Sequence, residues 1–218
     1  MTYQQIRENE TIRTYIRKAD ESLAALGYTE HSFAHVTHVA EMAAQILSAL
    51  DFDPHSIELV KIAGYLHDIG NLVNRVDHSQ SGAVMAFRIL DKLEMPPTDI
   101  ATIVTAIGNH DEGTGIPVNP VAAALILADK SDVRATRVRN RDIATFDIHD
   151  RVNYSVSHAT LTTDAQNKTV TLSLQIDTQF GSVMDYFEIF LGRMILCRKA
   201  AQALGLRFVL VANGQQLL

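Results

Sequence analysis

Tryptophan is absent from the 218 residues, cysteine occurs once, proline five times and glycine eleven times. The single cysteine, Cys197, cannot close an internal disulfide, so the fold rests on its core rather than on covalent staples. With apolar residues at 47% and charged residues at 20%, the scarcity of proline and glycine excludes collagen-like, low-complexity and disordered chains. No apolar run approaches the roughly 18 residues that span a bilayer, and no lipidation signal is present. The first ten residues are polar and lack an apolar stretch after a basic start, which predicts a cytoplasmic protein with no membrane partner. Basic residues are also in deficit, 19 against 25 acidic, for a formal charge of -6. That excludes a general basic surface for duplex nucleic acid, which is not expected as a partner.

At about 150 residues per domain, the length predicts one large domain or a domain with an appendage. Apolar residues recur at helical spacing in residues 4–25, from Ile6 to Leu23, with Gly27 as a stop. A second helix is expected over 33–50. Asp53-Pro54 then supplies an N-cap and first-turn proline for a third, running to about Ile69. A polar loop follows at 74–81. A fourth helix from about Ala83 ends at Pro96-Pro97, and a fifth runs from Thr98 to Ile107. Asn119-Pro120 caps a nearly all-apolar, hence buried, helix from Val121 to about Val133, which the charged segment 134–151 is expected to prolong. There the period changes. Residues 154–163 and 169–176 alternate apolar and polar residues around a hairpin loop at 164–168, followed by a helix over 180–204 and a strand at 207–211. The fold class read from this order is mainly α, a helical domain over residues 1–151 with a C-terminal β-β-α-β appendage over 152–218.

Against the shortages stand nine histidines, and several fall in conflict with their surroundings. His35 shares the apolar stripe of the second helix with Val39 and Met42, where an uncompensated polar ring is costly. His67 and Asp68 are adjacent before the Gly70 break, the last turn being a place where both side chains can face one ion. Asp129 closes the apolar run 122–128, where an unpaired carboxylate would be strongly perturbed. One divalent cation held by His35, His67, Asp68 and Asp129 resolves all of these conflicts, since imidazole and carboxylate suit Mn, Fe, Ni, Co or Zn.

At these positions the sequence resembles the HD-domain phosphohydrolase superfamily, over about residues 30–135. His35-Val36-Thr37-His38-Val39-Ala40 resembles its first histidine motif, Leu66-His67-Asp68-Ile69-Gly70 its namesake motif, and Leu127-Ala128-Asp129-Lys130 its closing aspartate motif. The resemblance implies an all-helical HD-domain bundle and a metal-dependent phosphoric ester hydrolase. His78, four residues before Gly82-Ala83, and His110-Asp111-Glu112, followed by Gly113-Thr114-Gly115-Ile116-Pro117, are similar to members with more than one metal. They imply His78, His110 and Asp111 as ligands of a second ion, with Asp68 between the two and Mn or Fe as the expected metals, ahead of Ni, Co, Zn or Mg. Asp111 and Ile116 depart from the double-histidine, Gly-x-Gly-Tyr-Pro pattern of cyclic-dinucleotide phosphodiesterases, which argues against that specificity. The pattern His31-Ser-Phe-Ala-His35 resembles small nucleotide hydrolases and makes His31 a candidate substrate contact. Asn71 stands where many relatives carry lysine; Lys130, Arg134 and Arg137 are the candidates to bind substrate phosphate in its place.

The expected function is therefore hydrolysis of a small phosphate monoester or diester of nucleotide type at a binuclear site, with His67, Asp68 and Lys130 as the catalytic residues. Two alternatives stay open: a ribonuclease-like phosphodiesterase, from the spacing of His67, His78 and Gly82-Ala83, and a non-enzymatic, metal-stabilised regulatory domain. Cys197 lies among apolar residues and reads as an inert core thiol. The tail is expected either to cover the mouth of the site or to pair subunits in a homodimer.

Overall fold

The computed structural model describes all 218 residues. Eight α-helices carry the chain to a small sheet at its C-terminal end, and a ninth crosses over within it. The first amphipathic segment is two helices, α1 (Tyr3–Glu8) and α2 (Glu10–Ala25), rather than one. Asn9 divides them: its extended backbone ends α1, and its side chain accepts a hydrogen bond from Ile12 N to begin α2. Helix α3 (Phe33–Ala49) starts on a Ser32 cap, and α4 (Pro54–Leu66) starts on Asp53 with Pro54 in its first turn, as the sequence predicts. Helix α4 stops at Leu66, three residues early, and the chain tightens into a 3-10 turn at Ile69–Leu72. Helix α5 (His78–Lys92) begins at His78, inside the segment expected as loop, and α6 (Pro97–Gly108) follows. Asn119 caps α7 (Pro120–Ser131), whose residues are nearly all buried.

The charged segment after α7 does not prolong it. Ser131 ends the helix, 3-10 turns form at Ala135–Arg137 and Ile143–Thr145, and α8 (Ile148–Ser155) is a separate short helix. The change of period expected from residue 154 begins two residues later, after α8: β1 (Val156–Asp164) and β2 (Thr169–Ile176) form an antiparallel hairpin. Helix α9 (Val183–Ala203) crosses over to β3 (Arg207–Ala212), parallel to β2, and the two-residue β4 (Gln215–Gln216) completes the order β1-β2-β3-β4. The arrangement is mainly α with a small sheet. One apolar core includes residues from Tyr3 to Ala212, through both the helices and the sheet. No helix is long and apolar enough to cross a membrane.

Helices α3 and α4 approach unusually closely at Gly64. A Cβ there would lie 2.7 Å from the Cα of Ala40 and 2.9 Å from its backbone nitrogen, atoms that cannot rotate away. Gly64→Ala must therefore move two helices apart, and overpacking of this kind costs about 1–3 kcal/mol. Urea unfolding is expected to show a lower midpoint at unchanged slope.

Candidate metal centre

Polar side chains gather inside the helical layer at one place, and helix ends supply most of them. His35 projects from the first turn of α3, His67 and Asp68 follow the end of α4, and His78 opens α5. His110 lies just past α6, and Asp129 occupies the last turns of α7. Gly70 makes the assembly close. A Cβ on it would meet the His78 carbonyl oxygen at 2.0 Å and Gly82 N at 2.4 Å, so only glycine lets the turn after Asp68 rest against the start of α5.

The four histidines are oriented alike. His67 Nδ1 donates to the Gly64 carbonyl at 2.7 Å, His110 Nδ1 to that of Ile107 at 2.6 Å, and His78 Nδ1 to that of Arg75 at 3.1 Å. His35 Nδ1 donates to Asp132 Oδ2 at 2.7 Å. A carbonyl only accepts, so each Nδ1 carries the proton and each Nε2 is turned inward, the orientation characteristic of metal-ligating histidine. His35 Nε2 and His67 Nε2 are 3.3 Å apart, and His78 Nε2 and His110 Nε2 are 3.2 Å apart. Asp68 Oδ2 lies 3.4 Å from His35 Nε2 and 3.2 Å from His67 Nε2; its Oδ1 lies 3.4 Å from His78 Nε2. Asp129 Oδ1 completes the first half, 3.4 Å from His35 Nε2 and 3.6 Å from His67 Nε2. Asp68 thus faces both halves.

The donor set fits a divalent cation. Asp68 Oδ2 is buried without a hydrogen-bond partner, a costly condition unless a cation satisfies it. The donor atoms of His35, His67 and Asp129, and those of His67, Asp68 and His110, lie within 4.8 Å of one another. Burial opposes a charged His67, yet Asp68 and Asp129 outweigh it and lift its pKa to about 10. At His110 burial prevails, assisted by His67 and Lys130, and its pKa falls well below the ordinary histidine value. The first half of the cluster thus demands positive charge, while His110 offers a neutral lone pair. Arg75 Nη1 stands 3.3 Å from His78 Nε2 and occupies part of the second half.

The cluster gathers His35, His67, Asp68, His78, His110 and Asp129. His78 and His110, expected in polar loops, are both buried. Asp111 is not drawn in: its carboxylate turns toward Lys130, 4.0 Å away. Lys130, expected at substrate phosphate, is buried with its ammonium 2.8 Å from Asp129 Oδ2 and 2.7 Å from Glu112 Oε2. Arg134 points away as well, paired with Asp132 at 2.7 Å and Glu30 at 3.4 Å. Beside the cluster lies a cleft of about 220 Å³, lined by His31, Arg75, Arg137 and Arg193 among others, with His149 and Asp150 of α8 on it too. Neither Lys130 nor Arg134 lines it. His31 packs edge-on against His35, ring centroids 5.5 Å apart. Arg137 does line the cleft, while its Nε and Nη1 are fixed by the backbone carbonyls of Glu30 and Asp132.

Sequence reasoning missed several contributors. Asp132 stands three residues after Asp129, a spacing that shares one helix face, and this was the available signal for its hold on His35. Asn71, read only as a missing lysine, donates to Asp68 Oδ1 at 2.9 Å. Arg75 and Arg193 carried no local signal, because their place on the cleft depends on how the turn before α5 and the helix α9 pack. Cys197 is buried, and burial pushes its thiol up to about 12.

A helical layer with a histidine and aspartate cluster suited to divalent metal defines the class. Residues 32–162 match the family model described as HD domain, more than half of the chain, and the chain belongs to the HD domain family. It is similar to the uncharacterized protein MJ1020 of Methanocaldococcus jannaschii, 26% identical over 162 residues, which cover 64% of this chain and 62% of that protein. The chain therefore spans less than two thirds of that relative's length. It is also similar to the solved structure of a predicted HD superfamily hydrolase from an uncultured Thermotogales bacterium. The identity is 24% and the TM-score 0.47, over 62% of this chain and 76% of that one.

An ion that binds the gathered ligands and not the unfolded chain stabilises the fold by about 2.7 kcal/mol per site at a hundredfold excess over Kd. Mn²⁺ is expected to raise the melting temperature of chelator-treated protein and EDTA to reverse the rise. In His35→Ala the rise is expected to shrink. Identical melting curves with and without Mn²⁺, Fe²⁺ or Zn²⁺ would contradict a metal site here.

Proposed function

We propose that this chain is a metal-dependent phosphohydrolase acting on a small phosphate ester of nucleotide type through a binuclear centre. The observation that carries the reading is the shared orientation of His35, His67, His78 and His110, with every Nδ1 anchored and every Nε2 turned toward Asp68 or Asp129, beside a cleft bearing arginines. When bound, divalent ions supply Lewis acidity toward phosphoryl oxygen and activate water near neutral pH. His35, His67, Asp68 and Asp129 would hold the first, and Asp68, His78 and His110 the second.

The remaining work falls to this chain's own side chains. Asn71 fixes Asp68 Oδ1 and Asp132 fixes the His35 ring, so the ligands are oriented before anything binds. Arg75, Arg137 and Arg193 place guanidinium groups where a phosphoryl dianion can accept from them. The cleft is smaller than the roughly 300–1,000 Å³ of sites that enclose a whole drug-sized ligand. That size supports entry of the phosphoryl end alone, with the rest of a nucleotide across the rim at His149 and Asp147. A narrow cleft on an acidic chain also favours a small ester over RNA.

A panel of phosphomonoesters and phosphodiesters assayed with Mn²⁺ and Fe²⁺ tests the reaction class. Asp68→Ala is expected to remain folded and to lose more than about a hundredfold in turnover, beyond the effect of removing an outer-sphere partner. Wild-type turnover by folded Asp68→Ala would refute the assignment. Metal content is expected at two ions per chain for the wild type and about one for His110→Ala; one ion in both, with activity kept, would make the centre mononuclear. Arg75→Ala is expected to raise KM about tenfold with a smaller fall in kcat, whereas Arg134→Ala leaves KM unchanged.

A further inference from the structure

Beyond the ligand set, alternating charges run in a line from α9 to Asp129. Arg193 Nε donates to Glu112 Oε1 at 2.9 Å. Glu112 Oε2 is 2.7 Å from Lys130 Nζ, which is 2.8 Å from Asp129 Oδ2. Lys130 is 4% exposed, so water does little to screen it. The Arg193 guanidinium lies over the Phe190 ring, 4.2 Å from its centroid, which fixes its position on the helix.

Lys130 on its own is a poor neighbour for a metal ligand. Its ammonium draws on the carboxylate that must attract the ion, and adds positive charge beside it. Glu112 changes that balance by neutralising the ammonium and holding it on one side of Asp129: the lysine meets Oδ2, while Oδ1 faces His35 and His67. Both oxygens of Glu112 are engaged in turn, one by the lysine and one by the arginine.

We infer that Glu112 is a positioning residue for the metal ligand Asp129, acting through Lys130 to keep that carboxylate's charge available to a cation, with Arg193 of α9 holding Glu112 in place. The inference rests on the metal-binding reading above. Glu112 also lines the cleft, so activity alone cannot separate its roles, and metal affinity can.

The experiment is a Mn²⁺ titration of chelator-treated protein, followed by the paramagnetic resonance of free Mn²⁺. Glu112→Gln leaves Lys130 with Asp129 as its main carboxylate partner, and is expected to weaken the tightest site by about 10- to 100-fold. Adding Lys130→Met to that variant removes the competing ammonium and is expected to bring affinity back to within about threefold of wild type on the same scale. Equal affinity of wild type and Glu112→Gln overturns the inference. Failure of the double variant to recover overturns it too, because Lys130 would then not be the route. If Glu112→Gln does not fold, Lys130→Met alone must bind Mn²⁺ at least as tightly as wild type, and weaker binding rejects the proposal. A wild-type protein that binds no Mn²⁺, Fe²⁺ or Zn²⁺ rejects the metal reading itself, a result distinct from the others.

Discussion

The Asp68 carboxylate lies inside the helical layer, 5% exposed, with one oxygen held by Asn71 and the other without a hydrogen-bond partner. Within 3.4 Å of it stand three imidazole nitrogens, and a second carboxylate, Asp129, shares two of them. Gathering lone pairs and negative charge where water is excluded is expensive unless cations enter. The structure answers with cations on every side. Lys130 meets Asp129, Arg137 and Arg134 meet Asp132, and Arg75 stands beside His78. The cluster sets what its surroundings must be.

Close backbone approaches make this concentration geometrically feasible. Gly64 lets α4 lie on α3, so that His67 comes to His35; Gly70 lets the following turn lie on α5, so that His78 comes to Asp68. The carbonyls of Gly64 and Ile107, in the last turns of α4 and α6, and that of Arg75, just before α5, are the acceptors that orient three of the histidines. The same helix ends therefore supply both the ligands and the groups that aim them.

What the sequence disclosed follows from the range of the forces involved. Polar residues in apolar runs, as at His35 and Asp129, announce a local conflict, and the His67-Asp68-Ile69-Gly70 motif carries its own turn. The mainly α order and the change of period, read at residue 154 and found two residues later at the start of β1, are likewise local and were legible. His78 and His110 were placed in polar loops because their burial comes from the packing of α5 and α6, which no neighbouring residue reports. Lys130 and Arg134 show the limit of that reading: charges beside a motif suggest substrate contact, and in the fold each is held by one carboxylate near in sequence and one further away. Glu30 is 104 residues from Arg134 and Arg193 is 81 from Glu112. Pairings of that reach belong to the tertiary fold alone.

The hydrogen bond between His35 and Asp132 spans 97 residues, and the ligands between them come from four further segments. Bringing the whole set together requires closing loops that run through most of the helical layer, a cost in chain entropy that the packed core offsets. Chain synthesis proceeds from the N-terminal end, so most of the layer is made before the last acidic ligand and its partner emerge. During that interval His67 already has its local acceptor at Gly64, while His35 lacks Asp132, the carboxylate that orients its ring. Topology thereby ties the complete ligand set to the arrival of α7, the last of the helices that supply it.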